Sequence, residues 1–131
     1  MTADSGRPGR SERGRRPSAR RADSIVIIRW RDIPAQVNAT RGNERHQIML
    51  PRRFQRAIDE AAMRAGKRAA NAYIAEWRRE TISVTPEVDL GAEVARIVAE
   101  FDASLSRAAL TAYVRTGGYD PATHPEIEPA Q

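Results

Sequence analysis

The chain has 131 residues, with 22 Lys plus Arg against 17 Asp plus Glu and a net charge of +5. Apolar residues make up 40% and aromatics 5%, which suits one domain with a modest core. The absence of cysteine excludes disulfides, thiol nucleophiles, zinc fingers and cysteine-bound iron–sulfur clusters. With two histidines no metal site and no cofactor are expected, and no apolar run approaches the roughly 18 residues of a membrane span.

Charge divides the chain into a basic start, a basic middle and an acidic end. Residues 1–21 hold seven arginines against Asp4 and Glu12. Met1 to Ala22 is otherwise mainly Gly, Ser, Pro and Ala, with almost no large apolar residue. It cannot bury enough apolar surface to offset the entropy of ordering, so a disordered Arg-rich tail is expected there. The apolar stretch after Arg20-Arg21 stops at Arg29, too short for an export signal, and a cytoplasmic protein is expected. Nucleic acid could be met by this tail. Residues 81–131 hold three basic and eight acidic groups, so the middle and the end attract each other.

Ile25–Trp30 is β-branched and apolar on both faces, the pattern of a central strand. Asp32-Ile33-Pro34 ends it, since Pro34 lacks an N–H. Ala35–Thr40 alternates, Arg41–Glu44 turns, and Arg45–Leu50 returns as a hairpin partner. Pro51 opens a helix carrying Phe54, Ile58, Ala61, Ala62 and Ala65, and Gly66 is placed to stop it. A second helix is expected from about Ala69 to Glu80, with Tyr73 and Trp77 one turn apart facing the core. Ile82–Thr85 is extended. Thr85-Pro86-Glu87 reads as a helix start, followed by the stripe Val94, Ile97, Val98, Phe101 and Leu105. Ser104 or Ser106 could divide this helix in two, and Gly117-Gly118 ends it.

The expected fold is α+β: a small three-stranded, mainly antiparallel sheet with a helical pair packed on it and a longer C-terminal helix. The expected divisions are a tail at 1–22, an α+β domain at 23–80, a helical extension at 81–116 and an acidic tail at 117–131.

Three blocks carry a resemblance: Arg29-Trp30-Arg31-Asp32-Ile33-Pro34-Ala35-Gln36-Val37, then Arg53 to Met63, then Ala72 to Arg79. Together they resemble the bacterial virulence factor domain family over residues 25–79. The family is named from phenotype rather than from a reaction. Some members accompany folate and corrinoid one-carbon enzymes, which implies an accessory role. A weaker resemblance links residues 45–79 to the ribbon–helix–helix DNA-binding fold. There a strand pairs with its twin across a dimer, and Arg45, Gln47 and Met49 would read bases.

No catalytic constellation is visible. His46 and His124 have no serine or paired carboxylate nearby in sequence, Asp59 and Glu60 lie about 100° apart on their helix, and no glycine-rich phosphate loop opens a helix. The expected function is therefore a non-enzymatic module that binds a protein partner or assists an enzyme complex. Its expected surface is the corner Trp30, Arg31, Asp32, Pro34 and Gln36 with Arg52, Arg53 and Arg56. The last three cluster at the start of a helix whose dipole disfavours cations, so they should answer to an outside anion or to the acidic C-terminal helix. The oligomeric state is left open.

Overall fold

The computed structural model describes residues 23–67 and 69–124. The expected Arg-rich tail at 1–22 and the end of the acidic tail at 125–131 lie outside the described residues. The elements run β1 (Ser24–Trp30), β2 (Ile33–Arg41), β3 (Glu44–Met49), α1 (Arg52–Arg64), α2 (Ala70–Ala75), β4 (Trp77–Ser83), α3 (Leu90–Ser104) and α4 (Arg107–Arg115). The fold is α+β, but among the described residues its sheet has four antiparallel strands rather than three, in the order β3-β2-β1-β4.

The fourth strand corrects the second helix. Only Ala70–Ala75 is helical, and Trp77–Ser83 is a strand that pairs with β1 from Trp30↔Trp77 to Ser24↔Ser83. A helix through residue 80 would leave one side of the apolar strand β1 without hydrogen-bond partners, whereas β4 satisfies it. Tyr73 and Trp77 still meet, edge to face at 5.8 Å, but from a helix and a strand.

Both hairpins turn in two residues. Gly42, at φ 58, opens the β2–β3 turn, and Arg31, at φ 53, opens the β1–β2 turn. The register shift between Ile28 and Arg29 marks a bulge that inserts Ala35 opposite them. Gly66, at φ 73, ends α1 in a Schellman arrangement: its N–H donates to the Met63 carbonyl and that of Lys67 to the Ala62 carbonyl. The helix start expected at Thr85-Pro86-Glu87 moves to Asp89, whose side chain accepts from the Ala92 N–H at 3.0 Å. Pro86 and Glu87 form a turn instead. Ser106 caps α4 and divides the C-terminal helix in two.

Alternation gives the sheet two unlike faces. Ile25, Ile27, Val37 and Ala39 are buried under α1 and α3, in one core with Phe54, Ile58, Ala61, Leu90, Val94, Leu105 and Leu110. The opposite face carries Ser24, Val26, Ile28, Asn38 and Thr40, all half-buried, and Arg45, Gln47, Met49, Arg79, Thr81 and Ser83, all exposed. Strand β1 is thus central but is not covered on both sides along its length. Only its Trp30 end is closed on the second face, by Tyr73, whose ring stacks on Trp30 at 5.8 Å, and by Trp77.

Candidate partner-binding surface

The corner expected to meet a partner is a buried clasp. Trp30 is 0% exposed, and its Nε1 donates to the Tyr73 carbonyl at 2.9 Å. Pro34 is fully buried as well. These two residues therefore present no surface, and over Trp30 the chain beyond α4 folds back. Gly118 packs its backbone against the Trp30 ring. Arg31 is 8% exposed and lies between the rings of Trp30 and Tyr119, 5.2 and 4.6 Å from their centroids. Its Nη1 donates to the Gly117 carbonyl at 3.0 Å. Its Nε lies 3.2 Å from Glu76 Oε1, near enough for an ion pair but poorly aligned for a hydrogen bond. The Arg31 guanidinium, with Lys67 adding to it, holds the Glu76 carboxyl below its ordinary value.

Asp32 completes the clasp. Its Oδ1 accepts from Arg78, its Oδ2 from the Asp120 N–H, and its own N–H donates to the Gly118 carbonyl. Residues 117–120, expected as the start of a tail, are thus bound through backbone and carboxylate contacts to the first hairpin. Beside them Tyr113 is held above its ordinary pKa by burial, with Asp120 and Asp32 adding to the effect.

The arginines of α1 separate into two kinds. Arg53 answers to the C-terminal helix: it donates to Asp102 Oδ1 at 2.8 Å and to the Asp102 and Leu105 carbonyls, where the end of α3 leaves acceptors unpaired. Arg52 and Arg56 are exposed and make no ion pair among the described residues. Between α1 and α4 runs a groove of about 250 Å³. Its floor is Ala57, Leu110 and Val114, and Arg56, Arg107 and Glu60 stand on its rim.

Gln36 lies elsewhere, half-buried on the uncovered sheet face, where its Nε2 donates to Asn38 Oδ1 at 3.2 Å. It shares that face with Arg45, Gln47 and Met49, whose strand pairs with β2 of the same chain. Residues 45–79 do not build a ribbon–helix–helix unit, because β3 has an intrachain partner and the second helix is six residues long followed by a strand. A second groove, of about 410 Å³, crosses this face. Arg79 and Asn38 line it too and were missed from the sequence. The alternation of Trp77, Arg79, Thr81 and Ser83 was the available signal.

His46 bonds to Glu44 at 2.7 Å, and the ring of His124 stacks on Tyr119 at 4.4 Å. No cluster of three metal-ligating side chains occurs among the described residues, and no helix there is long and apolar enough to cross a membrane. The family model described as "Virulence factor" matches residues 28–114. No curated protein and no solved structure matches the chain.

Proposed function

The chain belongs to the virulence factor family, and from that premise we propose that it is a non-enzymatic interaction module whose protein-docking site is the groove between α1 and α4. The observation that carries this reading is an apolar floor, Ala57, Leu110 and Val114, beneath a rim on which Arg56 and Arg107 outnumber Glu60. Such a groove suits an amphipathic helix that lays apolar residues on the floor and carboxylates against the rim. Exposed Arg52 extends the cationic edge by one turn of α1. Arg53, from the expected set, holds α3 in place and so keeps one end of the groove formed. In its finer form the reading makes the chain an accessory subunit of a one-carbon, folate- or corrinoid-dependent, enzyme system, as the family resemblance implies.

The test is affinity purification of the full chain from its own cell under nuclease, beside the double variant Arg56→Glu with Arg107→Glu. The wild type should retain a protein whose bound segment is acidic and helical. The variant should lose it at unchanged melting temperature, and a copy of that segment with its carboxylates replaced by lysines should bind the variant instead. Equal retention by both forms would sink the reading.

A further inference from the structure

We infer that the uncovered sheet face binds single-stranded nucleic acid, a role separate from protein docking and carried by a different surface.

The first support is the chemistry of the face. By strand alternation it carries Arg45 and Arg79, the amides Gln36, Asn38 and Gln47, and the hydroxyls Ser24, Thr40, Thr81 and Ser83. Among the described residues it carries no carboxylate. The acids of these strands all fall on the other side or at the ends: Asp23 pairs with Arg41, Glu44 with His46, and Glu80 with Arg29. Several cations elsewhere in the fold are matched in the same way, as Arg78 is by Asp32 and Arg96 by Glu93 and Glu100, whereas Arg52 and Arg56 on α1 are not. Arg45 and Arg79 make neither an ion pair nor a side-chain hydrogen bond among the described residues. A face that places arginines away from every fold carboxylate is complementary to anions brought from outside.

The second support is geometric. Arg45 is on one edge strand and Arg79 on the other, three inter-strand steps across the sheet and four residues along it, a diagonal of about 20 Å between their backbones. Between them lies the groove of about 410 Å³, floored by Ser24, Val26, Asn38 and Thr40 and flanked by Gln47. Guanidiniums at diagonally opposite margins can grip phosphates at the two ends of a short run of bases laid across the middle. Asn38 receives its hydrogen bond from Gln36 at Oδ1, which leaves its own NH₂ to donate, and Gln47 offers both a donor and an acceptor to a base edge. Val26, Ile28 and Met49, the last 59% exposed, supply apolar contact beside these amides. A duplex hides its base edges in grooves that a four-stranded sheet cannot enter, whereas a single strand can lay its bases on the sheet.

The test uses the full chain and fluorescein-labelled 15-nucleotide probes, single-stranded RNA, single-stranded DNA and the matching duplex, read by anisotropy between 50 and 200 mM salt. Arg45→Ala with Arg79→Ala should weaken single-strand binding at least tenfold. It should also flatten the log–log salt dependence by roughly 1.4, since each phosphate contact on a single strand contributes about 0.7. Gln47→Ala should change the preference among homopolymers. The melting temperature checks folding, with Arg45→Gln and Arg79→Gln as a second pair should the alanines lower it. Undiminished binding by the face variants overturns the inference, including the result in which removal of residues 1–22 alone abolishes it. Equal affinity for the duplex, or equal displacement by polyglutamate, overturns it as well. The α1–α4 groove reading fails only in its own purification, so the two can fall separately.

Discussion

At the residue scale the most heavily constrained side chain is Arg31. It sits at φ 53, a conformation that costs a non-glycine residue roughly 1–3 kcal/mol, and its charge is buried. Two aromatic faces, the Gly117 carbonyl and Glu76 together offset that cost. Arg31→Ala should lower stability by about 3 kcal/mol in chemical denaturation, because it leaves Glu76 with Lys67 alone and two rings without their partner. Glu76 gives the clasp a pH dependence. Its folded pKa lies below its ordinary value of 4.5, so its contribution is fully present above that value and is lost as pH falls through the lowered one. Glu76→Gln should therefore melt lower than wild type at pH 7, and the two should converge on acidification below about pH 4.5. A gap that stays constant down to pH 3 would disprove the linkage. Gly118 makes the same corner intolerant of a methyl group. At φ +107, a Cβ there would stand 2.9 Å from the Trp30 ring, so Gly118→Ala should cost about 2 kcal/mol or more. Gly91→Ala meets His46 at the same 2.9 Å. That ring is one-third exposed and can swing aside, so the change should stay within about 1 kcal/mol of neutral.

At the element scale the packing of α3 and α4 onto α1 depends on one arginine in an unfavourable place. The first turn of α1 has no acid and begins Arg52-Arg53, against the helix dipole. Arg53 recovers that cost by bonding the carbonyl ends of α3, where the dipole is negative. Arg53→Ala should destabilise by about 1–2 kcal/mol and speed amide exchange around Leu105 and Ser106. Arg52→Ala, one residue away and exposed, should be neutral or slightly stabilising. Equal losses for the two would show that position in the helix, rather than contact with α3, sets the cost.

At the scale of the whole molecule the ends of the described chain hold each other. The first hairpin reaches into Thr116–Asp120, and Thr116 Oγ1 donates to the Tyr119 carbonyl to shape that segment. A chain stopped after Arg115 would uncover Trp30 and unpair Arg31. It should lose about 3 kcal/mol, a fall in melting temperature on the order of 15 °C for a domain of this size. The helices α3 and α4, set apart from the α+β unit in the sequence reading, supply Leu90, Val94, Ile97, Leu105 and Leu110 to the same core. The family match spans both parts.

Much of this was legible locally. The apolar run of β1, the Gly42 hairpin and the Gly66 stop each rest on backbone preferences confined to a few neighbouring residues, and these the sequence alone determined. The chain from Trp77 to Ser83 carries a helix-compatible spacing and a strand alternation at once, and only the unfilled edge of β1 decides between them. Trp30 and Arg31 stand in the expected docking corner, but their burial depends on Gly118 and Tyr119, more than 80 residues away. Which arginines are spent on the fold and which remain outward likewise depends on contacts between distant segments. Local chemistry specified the pieces. Tertiary structure alone decided which face stayed open, because burial and charge pairing are properties of space rather than of neighbouring positions in the chain.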